Sequence, residues 1–371
     1  MNILFLYWGK RGGGARYSLE LTRALAELPG VQINLSVSNQ CEILDEFKAL
    51  GLPTHYVDTY QNVFGFLKKF TLDRARLQKN LEDYLRKYKV RYVIIGMDFF
   101  WGPLIFQACK NAGARALYVV HEPKPHPKEP MIMGAVKRIT LKKGITGADH
   151  VITLTHHVKK YIHISFKVSE EEISVIPHGI FSYVKAVSPK ELPAADDPLT
   201  LLYFGRIEYY KGLDILLDAF QLIKKKRQNV RLEIWGSGDL NPYTEQIEGT
   251  GSVRIENRWV DEEEIAPLFK RADLCILPYR DASQSGVVGI ASDAAVPIVA
   301  TPAEGLMEQL RNSGALFSQN FTAESLAESV SQLLDDPERY QELSARSLQY
   351  AKDLRWTNIA GKFIEVCKKL E

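Results

Sequence analysis

Several things are scarce in this 371-residue chain, and each scarcity removes a class of protein. No apolar run approaches the roughly twenty residues needed to cross a bilayer, so no membrane-spanning helix is expected. Only four cysteines occur (Cys41, Cys109, Cys275 and Cys367), far apart and among mostly apolar neighbours. Neither a disulfide framework nor a zinc site follows from such spacing; reduced, buried thiols in a cytoplasmic protein are expected. The segment Met1–Tyr7 lacks a basic flank and a long apolar core, and reads as a first strand rather than a signal peptide. Internal repeats and low-complexity stretches are missing too. What remains is an ordinary globular composition, 46% hydrophobic and 25% charged, long enough for two domains. The small net charge of +2 hides a split: residues 1–190 hold 27 Lys+Arg against 16 Asp+Glu, and the remainder 20 against 29. A basic half joined to an acidic half suggests different partners for the two.

Short β-rich runs alternate with helical periods from end to end. The first half offers strands at Ile3–Tyr7, Gln32–Ser36, Thr54–Val57, Tyr92–Ile95, Ala116–Val120, Val151–Leu154 and Ile173–Ile176. Lys185–Pro198, with Pro189, Pro193 and Pro198, interrupts the pattern as a linker. Strands then follow at Leu201–Phe204, Leu232–Trp235, Val253–Glu256, Leu274–Leu277 and Ile298–Thr301, and 323–370 reads as helical. This is the signature of an α/β chain with two doubly wound parallel sheets. The expected division is 1–184, a linker at 185–198, 199–355, and a last helix at 356–371 that crosses back to the first domain. Two such sheets would place their strand C-termini across a shared cleft, where ligands of open sheets bind.

The strongest motif follows Leu201–Phe204: Gly205-Arg206-Ile207-Glu208-Tyr209-Tyr210-Lys211-Gly212, then an amphipathic helix. A glycine lets backbone approach a ligand, a helix start offers N–H groups, and two cations neutralise charge, as a diphosphate requires. Lys211 precedes Gly212 and Leu213 rather than a Ser/Thr that would hold magnesium, so the site reads as metal-free. The alternative is a surface turn with two solvated cations. A second glycine turn, Gly9–Arg16 with Gly12, Gly13 and Gly14, lacks the dinucleotide spacing, and a nicotinamide cofactor is not expected. His121 ends the strand Leu117–Val120, where it can donate to a sugar hydroxyl or a departing oxygen or serve structure alone, and prolines stiffen the loop around it and His126. His178 sits in the turn Ile176–Gly179, with structural and functional readings open. Pro278–Val288 offers small residues before a helix, a second set of backbone donors. Met131–Lys143 interleaves apolar residues with Lys137, Arg138, Lys142 and Lys143; with Phe64–Phe70 it suits a core-facing helix with a wet basic side, or a membrane surface.

These residues together resemble the family-4 retaining glycosyltransferases of the GT-B fold. The resemblance runs nearly end to end, through Gly12–Gly14, His121, Ile176-Pro177-His178-Gly179, Gly205-Arg206 with Lys211-Gly212, Trp235-Gly236-Ser237-Gly238, Ala272-Asp273, Pro297–Thr301, Asp336–Arg339 and Arg355-Trp356-Thr357. It implies transfer of a sugar from a nucleoside diphosphate sugar to a saccharide or lipid-linked acceptor, in cell-surface polysaccharide or glycan synthesis. No cofactor or metal is implied. Arg206 and Lys211 would grip the diphosphate and His121 would meet the donor sugar. Gly13, Gly14, Gly205, Arg258, Trp259, Ser285, Gly286 and Val287 would complete the donor site, and Asp98, His126 and His178 would face the acceptor. The family's two glutamates, eight positions apart, fall here on Ala282 and Ile290. Asp281 or Gln284 is the expected replacement at the sugar, and Asp293 at the ribose. Glu304 is a further departure, where the family favours glycine. The implied place is the cytoplasm, with peripheral contact at the inner membrane face through the basic half. The competing reading is a catalytically inactive GT-B scaffold of a glycan-assembly complex; nucleic-acid binding has no clustered Arg/aromatic motif behind it.

Overall fold

The computed structural model describes residues 1–59, 73–97, 101–121, 131–186, 188–194, 196–282 and 284–371, the side chains of 131–137 excepted. The chain divides into two compact units, Met1–Gly179 with Trp356–Glu371, and Ile180–Arg355.

The first unit holds a seven-stranded parallel sheet of β1 (Asn2–Tyr7), β2 (Gln32–Ser38), β3 (Thr54–Val57), β4 (Tyr92–Ile95), β5 (Arg115–Val120), β6 (His150–Thr153) and β7 (Ile173–Val175). Their order is β3-β2-β1-β4-β5-β6-β7. Strands buried on both faces must be apolar at consecutive positions, and Ile3 to Leu6 are all fully buried. Leu4 and Leu6 join Val93, Ile95, Tyr118 and Val120 in one core. Within this unit the last helix, Trp356–Lys369, returns to pack on the first, Gly13–Ala26. In the helix Met131–Gly147, Leu141 and Ile145 are buried in the core while Lys142 and Lys143 are exposed. The segment 64–70 lies outside the described residues.

The second unit repeats the plan with β8 (Leu199–Phe204), β9 (Val230–Trp235), β10 (Val253–Glu256), β11 (Leu274–Leu277), β12 (Ile298–Ala300) and β13 (Ala315–Phe317). The order is β10-β9-β8-β11-β12-β13, again parallel. Alternate residues feed two cores: Leu201, Tyr203, Leu232 and Ile234 on one face, and Leu202, Trp235, Cys275 and Leu277 on the other. Both sheets therefore have the doubly wound order expected from the alternation. Edge strand β13 was not anticipated; three half-buried residues carry no periodic signal. The unit boundary falls at Gly179–Ile180, and the proline-rich stretch 185–198 belongs to the second unit. Lys190 anchors it, donating its backbone N–H to the Ser344 hydroxyl oxygen at 2.7 Å and its ammonium to the carbonyls of Lys270 and Ala272. All four cysteines are buried and free. No helix among the described residues is long and apolar enough to cross a membrane.

Candidate functional site

In each sheet the order reverses beside the first strand of the unit, and there the loops at the strand C-termini part and leave room for a ligand. In the second unit the parting falls between β8 and β11, which places the segments 205–212 and 278–282 side by side. β8 ends and Gly205 turns at φ +124, a region that L side chains avoid. The Gly205 N–H donates to the Trp235 carbonyl at 2.9 Å. One turn of 3-10 helix, Tyr209–Lys211, leads through Gly212 (φ +67) into the helix Leu213–Lys226. A Cβ at Gly212 would stand 1.9 Å from the Pro278 carbonyl oxygen, so the two loops meet backbone to backbone. Arg280 completes the dovetail. Its guanidinium holds the Asp214 carboxylate through both oxygens and donates to the Tyr209 carbonyl at 3.0 Å, while its backbone N–H meets the Tyr210 carbonyl at 2.7 Å. Burial alone would raise the Asp214 carboxyl; hydrogen bonding and charge from Arg280 outweigh it and hold that carboxyl below its ordinary range.

The 3-10 turn points Lys211 inward, where it is only 9% exposed. Its Nζ donates to the Tyr279 hydroxyl at 2.8 Å and lies 4.3 Å from that ring's centre. A Cβ built on Gly205 would be 3.5 Å from this Nζ and 3.8 Å from Val287 Cγ2. The glycine turn, the ammonium and the start of the helix Gly286–Asp293 thus converge on one spot. Arg206 is 57% exposed and pairs with Glu208 at 2.9 Å. Ser285 precedes the helix, and its backbone N–H, one of the expected donors, is spent on Gln309 Oε1 at 2.8 Å, with Gln309 Nε2 returning to the Ser285 carbonyl. The N–H groups of Gly286 and Val287 have no partner within their helix by its geometry.

Other sequence candidates of this unit have different surroundings. Arg258 is bound by both guanidinium nitrogens to Glu264, at 2.7 and 2.6 Å, and lies over the Trp235 ring. That bond, ahead of other causes, pulls the Glu264 carboxyl down to about 2. Arg258 is therefore a paired cation, and its neighbour Trp259 is the open surface here at 70% exposure. Asp281 is exposed, while Ala282 and Ile290 are buried in the apolar core. Asp293, the expected ribose contact, is 6% exposed and occupied: Oδ1 accepts from the Ser182 hydroxyl, and Oδ2 from the backbone N–H groups of Val184 and Lys185. It clasps the entry to its own unit, a role that burial confers and spacing does not reveal. Gln284 differs; its Oε1 is buried with no hydrogen-bond partner. Tyr279, Arg280, Asp214 and Gln309 were not singled out from the sequence. An aromatic and a cation directly after a buried strand were the available signal.

In the first unit the glycine turn opens at Gly12 (φ +91), whose N–H donates to Glu42 Oε1 at 2.6 Å. Arg16 pairs with Glu46 at 2.7 Å. Gly14 packs against Met97, whereas a Cβ on Gly13 would meet nothing within 4 Å. His121, 9% exposed, follows β5 with Nε2 3.0 Å from the Gly96 carbonyl oxygen. A carbonyl can only accept, so Nε2 carries the proton. The Tyr17 ring stands edge-on to His121 at 4.6 Å and lies 5.0 Å from His178 and 5.2 Å from Trp356. Burial, aided by the charge of His121, lowers the His178 imidazole to about 4, so it is neutral at pH 7. Asp98 and His126 lie outside the described residues.

The Glycosyltransferase Family 4 model matches residues 11–181, and the Glycosyl transferases group 1 model residues 198–336. A D-inositol 3-phosphate glycosyltransferase of Thermobispora bispora is 25% identical over 96% of this chain and 90% of its own. An uncharacterized glycosyltransferase of Methanocaldococcus jannaschii is 28% identical over 59% of each chain. A lipopolysaccharide 1,2-N-acetylglucosaminetransferase of Salmonella typhimurium is 26% identical over 53% of this chain and 56% of its own. Against those last two relatives the matched region spans just over half their length. Among solved structures, Anabaena HepE in complex with UDP superposes over the whole of both chains with a TM-score of 0.76 at 16% identity. Sucrose-phosphate synthase of Thermosynechococcus elongatus does so over 100% of this chain and 98% of its own, at 0.73 and 19%. At such identity the likeness is one of fold.

Proposed function

We propose, for a chain that belongs to the GT-B glycosyltransferases, that its second unit holds a nucleoside diphosphate sugar and its first unit the acceptor. The observation that carries the reading is the Lys211 ammonium, nearly buried, facing the Gly205 turn beside the open start of the helix Gly286–Asp293. A buried cation at a side-chain-free turn next to unpaired N–H groups suits the two phosphates of a nucleoside diphosphate. Crystal structures of the similar Anabaena HepE in complex with UDP and with UDP-glucose agree with that ligand class.

As the bond from the sugar to the diphosphate breaks, negative charge gathers on the departing oxygen. Lys211 and the Gly286 and Val287 N–H groups are fixed before the reaction and stabilise that charge without reorganising. Arg206, more exposed, closes on the same phosphates after leaving Glu208. The acceptor hydroxyl attacks from the face that the diphosphate leaves, which retains the configuration, and the departing phosphate oxygen takes the hydroxyl proton. This route needs neither a protein nucleophile nor a metal. The unpartnered Gln284 Oε1 is the acceptor of choice for a donor-sugar hydroxyl, and Trp259 is the exposed face for the base. His121, at the C-terminal end of β5 with Nε2 held by the Gly96 carbonyl, is the residue of the first unit that would meet the donor sugar. The acceptor is a saccharide or a lipid-linked saccharide in cell-surface polysaccharide or glycan synthesis, handled at the cytoplasmic face of the membrane, to which the exposed Lys142 and Lys143 would turn.

Calorimetric titration with UDP, GDP and ADP without divalent metal tests the reading. One nucleotide should bind, and Lys211→Ala should weaken it about a hundredfold or more, the cost of losing a charge-assisted contact to each of two phosphates. The apolar Ala282 and Ile290 favour a second reading, a GT-B scaffold without chemistry. Binding of a nucleotide without sugar transfer or donor hydrolysis would support that one, and no binding by any nucleotide would refute the donor site.

A further inference from the structure

The hydroxyl of Tyr279 joins two elements that the donor site needs. It lies 2.8 Å from Lys211 Nζ and 3.3 Å from Ser285 Oγ, with its ring 1% exposed and its carbonyl fixed by the Thr301 hydroxyl at 2.6 Å. An ammonium has only protons to give, so the phenol oxygen accepts from Lys211 and its single proton is left for Ser285 Oγ. Ser285 occupies the N-cap position of the helix Gly286–Asp293, where a serine side chain ordinarily accepts from the first turn. Here it makes no such bond.

We propose that Tyr279 is a positioning residue for anion binding: it holds the Lys211 ammonium at the Gly205 turn and draws the Ser285 hydroxyl away from the helix, leaving the first-turn N–H groups open for phosphate. The inference rests on the donor-site reading but has a consequence independent of it. Removing only the phenol oxygen keeps the ring beneath the ammonium, frees Lys211 to swing outward, and lets Ser285 cap its own helix. The cation and the N–H donors are then both lost to an anion, while the nucleoside part of the site is untouched.

Two measurements on Tyr279→Phe separate the ideas. Without ligand, reductive methylation of Lys211, followed by mass spectrometry, should be slow in the parent protein and several-fold faster in the variant. The exposed Lys225 and Lys226 serve as internal controls and should not change. With ligand, affinity for the nucleoside diphosphate should fall roughly tenfold, the scale of one hydrogen bond to a charge. Affinity for the matching uncharged nucleoside should stay the same. Equal weakening of both would show a merely structural role and overturn the proposal, as would unchanged Lys211 labelling. Faster labelling in a protein that binds no nucleotide would uphold the positioning role and remove the donor-site reading beneath it. Ser285→Ala, which leaves the Lys211 bond in place and removes the only hydroxyl that could cap this helix from position 285, should give normal labelling and near-parental diphosphate affinity; added to Tyr279→Phe it should restore part of the lost affinity, and no restoration there would remove the capping half of the proposal.

Discussion

The two units share one strand order around their first strands, yet the turns that leave β1 and β8 are surrounded by groups of opposite charge. After β1, Gly12 gives its N–H to Glu42, and Arg16 is bound to Glu46. A carboxylate already sits where an anion would approach. After β8, Gly205 gives its N–H to a backbone carbonyl, no acidic side chain bonds to it, and Lys211 faces it. Topology supplies the crevice in both; the residue that satisfies the turn decides whether phosphate is welcome. A glycine-rich turn is therefore poor evidence of a phosphate site until the partner of its N–H is known.

The comparison breaks most sharply if the cations of the second unit prove dispensable. Arg206→Ala with Lys211→Ala should abolish sugar transfer while the thermal unfolding of the chain remains cooperative; retained turnover would place the donor elsewhere. Next in size are the glycines. Gly212→Ala and Gly236→Ala each drive a Cβ to 1.9 Å from a backbone oxygen, of Pro278 and Gly205 respectively, with φ positive at both. Each should cost about 2 kcal/mol or more of stability in denaturant titration. Gly13→Ala in the first unit meets nothing within 4 Å among the described residues and should stay within about 0.5 kcal/mol of the parent.

A pH dependence distinguishes the units as well. In the first, burial lowers both His55 and His178 from 6.5 to about 4, with the charge of His121 adding to the effect at His178. Between those values the unfolded chain binds more protons than the folded one, so stability falls as pH drops from about 6.5 to about 4 and is complete above 6.5. Chemical denaturation across that window should show the slope, and His178→Gln should flatten part of it. The smallest effect is expected from Glu42→Gln, which keeps a carbonyl oxygen for Gly12 but removes its charge. Nucleotide affinity should not change in that variant; a change would mean that the first turn takes part in donor binding after all.

The strands were legible because both faces of each sheet are buried: Ile3–Leu6 and Leu274–Leu277 are apolar without a break. Gly205 and Lys211 were legible for a related reason, since a strand end, a glycine and cations before a helix leave few conformations to choose from. Side-chain commitments were not. Asp293 reads as a free carboxylate one helical turn beyond Ile290, but its oxygens hold Ser182, Val184 and Lys185, more than a hundred positions earlier. Arg258 reads as a ligand cation, but Glu264, which serves its own helix start through a capping box with Asp261, claims it. Tyr279 reads as the beginning of a loop, but its hydroxyl accepts from Lys211, sixty-eight residues away. Periodicity records which face of an element is buried; it holds no record of which polar atom a distant segment has already taken.

The last helix, Trp356–Lys369, is part of the first unit, where it lies on Gly13–Ala26 and brings Trp356 against Tyr17 and His178. A ribosome makes the chain in the opposite order to this arrangement. Domains generally fold during synthesis from the N-terminal end, but here the first unit is incomplete until Trp356–Lys369 has been made. The second unit, contiguous from Ile180 to Arg355, has all of its parts earlier. A nascent chain halted at Arg355 holds every residue of the second unit and leaves the surface of the helix Gly13–Ala26 uncovered until the fourteen residues Trp356–Lys369 arrive.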